Sequence, residues 1–165
     1  DCVKSKVLLI SPVHYKIEYD FYGDAFVKRL NYYNDGNCTE QIARVTYKGN
    51  VTITEPNDDG LGSRAIDLLY TGVSVGAVTE SGKKFLQTVD LCGQKNFPVG
   101  QDVDMTEASA KPTCVLQTSN KVTYYDRFVV SDGILRLGTG YSEKPMNDKL
   151  DERAGVQNDE HFTVR

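Results

Sequence analysis

At 165 residues and 18.4 kDa the chain is the size of one domain, long enough to bury about two thirds of its unfolded surface around a single core. Charged residues at 25% and hydrophobic ones at 39% exclude wholesale disorder, and a net charge of -4 with scattered Lys and Arg excludes the basic face that nucleic acid requires. The longest aliphatic run, Val7 to Ile10, is too short to cross a bilayer as a helix.

In chain order, the opening Asp1-Cys2 without a Met implies an upstream segment removed by processing or by design of the expressed chain. From His14 to Phe21, aromatic or aliphatic residues alternate with charged ones, the period of a strand with one buried and one wet face. Gly23-Asp24 marks a turn, a second strand covers 25–33, and Asn34-Asp35-Gly36-Asn37 closes a tight hairpin with Cys38 at the start of the outgoing strand. A third strand over 39–48 and a fourth over 51–55 are expected to meet at a Gly49-Asn50 hairpin.

After a loop over 56–62, strands are expected over 64–71, 73–79 and 84–91, separated by Gly72 and by Ser81-Gly82. The acid-rich 102–111 segment, with Asp104 three residues before Glu107, predicts a short helical turn before Pro112. A final hairpin pairs 122–130 with 134–138 around Ser131-Asp132-Gly133. The polar tail predicts a helix between Pro145 and Ala154 with Gly155 as its cap, then a short apolar return over 161–164. About nine short strands at hairpin spacing, with one or two helical turns, predict one all-β antiparallel domain over 1–165, a barrel or sandwich.

Four cysteines, Cys2, Cys38, Cys92 and Cys114, make no C-x-x-C pair, and only His14 and His161 could complete a metal site. The even count reads as two disulfides in an exported protein, against the alternative of four buried thiols. No metal or cofactor is expected. Gly72-Val73-Ser74-Val75-Gly76 matches the nucleophile elbow of serine hydrolases, which works only on a strand-to-helix turn; the β-rich surroundings predict a plain strand instead. Asn57-Asp58-Asp59-Gly60 and Asp102-x-Asp104 lack the ligand spacing of a calcium loop, and His14 and His161 read as strand-end residues. Asn37-Cys38-Thr39 and Asn50-Val51-Thr52 have the form of glycosylation acceptors. The expectation is a protein without catalysis.

Tyr32 to Thr39 (YYNDGNCT), Asp90-Leu91-Cys92-Gly93, Cys114, Tyr124-Tyr125-Asp126-x-Phe128 and Ile134 to Gly138 (ILRLG) together resemble small exported bacterial proteins, many of them lipoproteins. They are also similar to the extracellular domain of the adenomatosis polyposis coli down-regulated family. The resemblance runs from about Tyr15 to Gly138 and implies a lipocalin-like (calycin-type) barrel or half-barrel of about eight to nine strands. It departs at Phe97, where a tryptophan is expected, and near the end, where an Arg-Pro is replaced by Asp151-Glu152-Arg153-Ala154. It implies the pairs Cys2 with Cys38 and Cys92 with Cys114, so that Cys38 ties the hairpin corner to the start of the chain. Cleavage just before Cys2 would instead leave that residue to carry lipid, but Asp1 is unlike the small residue normally found there.

A closed sheet of about eight strands has an interior that side chains fill or that holds one small ligand. The inward candidates are Tyr15, Ile17, Tyr19 and Phe21 with Tyr124 and Phe128; ten tyrosines and no tryptophan give apolar walls with hydroxyl tips, suited to a lipid-like molecule. The plainer alternative is that these residues are packed core. The rival function is a cell-envelope interaction module that binds a protein partner through an exposed edge or face. Either way the expected location is the periplasm, cell surface or medium.

Overall fold

The alternating segment from His14 onward builds an antiparallel meander. The computed structural model describes residues 2–4, 13–56, 63–89, 91–111, 114, 116, 123–131, 134–137 and 161–163. Among these, nine strands and two helices run β1 (Val3–Lys4), β2 (His14–Tyr22), β3 (Ala25–Tyr33), β4 (Gln41–Pro56), β5 (Arg64–Ala77), α1 (Glu80–Thr88), β6 (Asp102–Asp104), α2 (Thr106–Ser109), β7 (Thr123–Ser131), β8 (Ile134–Leu137) and β9 (His161–Thr163). They form one sheet in the order β1-β2-β3-β4-β5-β7-β8-β9, with β6 also beside β5. β5 therefore carries two neighbours on one edge, β7 near its start and β6 near its end. The all-β antiparallel class stands, but the sheet is open: it ends at β1 and β9, and no pairing among the described residues joins those ends into a barrel.

Three local expectations are corrected. Gly49-Asn50 is no hairpin, because β4 runs through it with a register shift at Lys48/Gly49, a β-bulge. Gly72 does not divide two strands either; β5 is continuous over 14 residues. The 84–91 segment is not a strand, since α1 occupies most of it. Thr79 caps that helix, its Oγ1 accepting from the Gly82 N–H at 3.1 Å, while Phe85, Leu86 and Val89 recur at helical spacing and face the sheet. Gly82, which reads as turn punctuation, allows the helix to lie close: a Cβ there would strike the Ile42 carbonyl of β4. At α2, Asp104 Oδ1 accepts from the Thr106 N–H at 2.9 Å, rather than forming a reciprocal box with Glu107. The expected hairpin at 131–134 is present as β7 and β8, and β9 pairs with β8. The 7–10 run, the 57–60 acidic stretch and the tail helix lie outside the described residues.

Cross-strand register assigns the faces. Tyr15, Ile17, Tyr19 and Phe21 of β2 stand opposite Tyr32, Leu30, Lys28 and Phe26 of β3, and these opposite Ala43, Val45, Tyr47 and Gly49 of β4. The row continues into Ala77, Val75, Val73 and Tyr70 of β5. Residues opposite one another share a face, so this is one continuous inner face. One end is roofed: Val45, Val73 and Val75 pack with Leu86 of α1 and with Phe97, Met105 and Cys114. Phe97, standing at the position of the expected tryptophan, is fully buried there. At the other end the buried cluster Phe26, Val51, Ile66, Leu68 and Tyr70 comes entirely from strands. The outer face is polar, with an Arg29–Asp20 ion pair, Asn31 donating to Glu18 at 2.9 Å and Arg44 donating to Asp102 at 2.9 Å. Gly76 lies between Arg44 and Asp102 in register, and a Cβ on it would strike the Asp102 carboxylate.

Cys2 is bonded to Cys38 (Cα–Cα 5.8 Å) and Cys92 to Cys114 (4.6 Å). Cys38 adopts a left-handed backbone (φ 52°), uncommon for a residue with a Cβ, and the corner that holds it is built on Asp35. The Asp35 carboxylate accepts from the N–H groups of Glu40 (2.7 Å), Thr39 (3.0 Å) and Asn37 (2.8 Å), which hold its pKa below the usual carboxylate value. A depressed folded pKa contributes stability that is present above the unfolded pKa of about 4 and lost as pH falls through the folded value. Asp35→Asn should therefore flatten the fall in unfolding midpoint between about pH 5 and about pH 2.5, where carboxylates titrate. Equal slopes for variant and parent would refute the assignment.

Candidate functional site

The six aromatic and aliphatic residues picked from the sequence all lie on the inner face, but the structure divides them. Tyr15 is drawn to the roofed end, its ring 6.4 Å from Tyr32, which in turn lies 5.7 Å from Phe85 of α1. Ile17 stands opposite Leu30, which packs against the same roofed core. Tyr19, Phe21, Tyr124 and Phe128 gather at the other end, which no helix covers among the described residues, and there a chain of rings crosses the sheet. Tyr19 stacks on Phe21 at 5.9 Å, Phe21 meets Phe26 at 6.4 Å, Phe26 meets Tyr70 edge-on at 5.0 Å, and Tyr70 meets Tyr124 edge-on at 5.1 Å.

Tyr70, which the sequence does not single out, is the hub of this chain. It is 3% exposed and makes a third edge-on contact, with Tyr47 at 5.7 Å. Its side chain also hydrogen-bonds Tyr19, reaching from β5 over β4 and β3 to β2. Three strand spacings amount to about 14 Å, a span that two tyrosine side chains laid toward each other across the inner face can bridge. Beneath them lies Lys28, 6% exposed, its Nζ 5.6 Å from the Tyr19 ring and 5.7 Å from the Tyr47 ring, a double cation–π contact. Asp126 is also buried on this face and accepts from the Arg127 N–H at 2.7 Å.

Burial pushes the Tyr47 and Tyr70 phenols well up and that of Tyr32 up to about 12, so these hydroxyls stay protonated across the ordinary pH range. The inner face thus presents aromatic surface, neutral hydroxyls and one buried ammonium. Its rim is apolar: Phe21, Ile53 and Val130 are 37%, 48% and 52% exposed on this face. Register places Ser74 mid-strand between Thr46 and Asp104, on the opposite face. A helix does follow the G-x-S-x-G pattern, contrary to expectation, but begins only at Glu80, so Ser74 occupies no elbow. His14 and His161 open β2 and β9. Among the described residues no cluster of three His, Cys, Asp or Glu could hold a metal, and no helix is long and apolar enough to cross a membrane.

An open antiparallel sheet with a chain of aromatic rings across its inner face is thus the class that fold and site define. No protein-family model matches the chain, and no curated protein is significantly similar to it.

Proposed function

We propose that the half of the inner face around Tyr70 binds a small hydrophobic or amphipathic molecule, lipid-like in character, and that the protein is an exported, non-catalytic binding protein built as a lipocalin-like half-barrel. The observation that carries this reading is the ring chain from Tyr19 to Tyr124 joined to the exposed apolar rim of Phe21, Ile53 and Val130. Stacked and edge-on rings bury apolar ligand surface, and phenol hydroxyls orient a polar end. Two disulfides support an oxidising compartment, whether periplasm, cell surface or medium.

Native mass spectrometry of the unreduced protein, with titration of a fluorescent fatty acid, tests the reading. The expected result is stoichiometric uptake that an unlabelled fatty acid competes away and that Ile53→Asp weakens about tenfold or more, by placing a charge in an apolar contact. Absence of both a native adduct and probe uptake would sink it. The reading left standing would then be a cell-envelope interaction module, for which the exposed apolar rim is a protein-docking surface.

A further inference from the structure

The β2 edge of the sheet is covered by little. β1 pairs with it only at Val3↔Tyr15 and Lys4↔His14, and over 16–22 nothing among the described residues pairs with that edge. β1 directly follows Cys2, whose bond to Cys38 fixes it beside the hairpin corner. Lys16 Nζ donates to the Cys38 carbonyl at 3.3 Å, so the disulfide, β1 and β2 converge at one place.

The outer face of β2 carries Lys16, Glu18 and Asp20 in alternation with the inner row. If a second copy paired with this edge about a two-fold axis, inner faces would stay together and the charges would select the register. One register sets Lys16 opposite Glu18 twice over, with His14 opposite Asp20, Tyr15 opposite Tyr19 and Ile17 opposite its own copy. Sliding to the next register sets Glu18 against Glu18, and the following ones set Glu18 against Asp20 and then Asp20 against Asp20. Sliding the other way sets Lys16 against Lys16. Of these registers only the first sets no like charges opposite each other, and it needs His14 and Tyr15, the two positions that β1 occupies.

We propose that β1, latched by the Cys2–Cys38 disulfide, caps a self-pairing edge on β2, and that opening this bond lets a second copy of the chain replace β1 with Lys16 opposite Glu18. Opening consumes a dithiol reductant: Cys2 and Cys38 gain two electrons and two protons and become thiols, and the dithiol leaves as its own cyclic disulfide. The inference is independent of what the inner face binds.

Light scattering after size exclusion tests it on C2S/C38S beside the unreduced parent at equal concentration. A monomeric parent and a dimeric variant are expected. In the variant background K16E or E18K alone should weaken the dimer roughly tenfold, and K16E and E18K together should restore it, because the charge pair is re-formed with reversed signs. A parent already dimeric, a folded variant that stays monomeric, or a dimer indifferent to K16E would each overturn the proposal. Should circular dichroism find C2S/C38S unfolded, V3P/K4P, which keeps both disulfides and removes the amide donors of β1, is measured in its place; a folded monomer there is equally fatal.

Discussion

Tyr70→Ala is expected to lower the free energy of unfolding by about 3–5 kcal/mol, the range for deleting a large buried aromatic, and to abolish uptake of a lipid-like probe. The side chain is 3% exposed and touches Phe26, Tyr47 and Tyr124 edge-on, so its removal leaves a cavity bounded by three rings that cannot all close on it. Edge-on ring contacts add about 0.5–1.5 kcal/mol each beyond area burial, which places the loss toward the upper part of that range. Tyr70→Phe separates packing from polarity. It keeps the rings and gives up only the hydroxyl bond to Tyr19, a change of about 0.5–1.5 kcal/mol. Urea unfolding followed by circular dichroism suits a chain without tryptophan. If Tyr70→Ala cost less than Tyr70→Phe, the ring cluster would not be the hub of this half of the core.

The contrast between Tyr19 and Tyr70 marks how much of the site was legible in the sequence. Strict alternation from His14 to Phe21 assigns Tyr19 a face, and the register places Tyr15, Ile17, Tyr19 and Phe21 together as alternation requires. Tyr70 follows Leu68-Leu69, an apolar run with no period of two, so nothing local assigns it a side. Its meeting with Tyr19 depends on the order and register of four strands, which sequence periodicity does not encode. Lys28 fails in the opposite way: its charge reads as solvent-facing, but it lies on the inner face because the period from Phe26 to Tyr32 places it there, and the flanking rings shield the ammonium. Helix α1 spans only nine residues, too few for a helical period to stand out from strand-like alternation. Its glycine and serine read as a turn, whereas Gly82 serves close packing against β4.

Gly49 raises the same ambiguity in a form that an experiment can decide. Glycine inside a strand costs roughly 0.5–1 kcal/mol relative to alanine, so local propensity alone predicts that Gly49→Ala stabilises the protein. The packing predicts the reverse. A Cβ at this position would lie 2.5 Å from Phe26 Cε1 and 2.8 Å from Cζ, and closer still to the Leu69 carbonyl on β5. The ring of Phe26 lies over the glycine and reaches Tyr70 through the space it leaves, an arrangement in which an aromatic side chain covers the backbone of a strand glycine. The ring could swing away only by leaving its contact with Tyr70, and the Leu69 carbonyl is backbone of the paired strand beside the bulge and cannot give. Overpacking therefore outweighs the propensity gain, and Gly49→Ala is expected to destabilise by about 2–3 kcal/mol. Phe26→Ala should cost less in the Gly49→Ala background than in the parent, because part of its packing is already lost, while the carbonyl clash keeps the double variant below Phe26→Ala alone. A Gly49→Ala protein that unfolds at higher urea than the parent would mean that Phe26 does not cover the glycine. The inner face between Phe26 and Tyr70 would then be open, and the ring chain that carries the binding proposal would be interrupted at its centre.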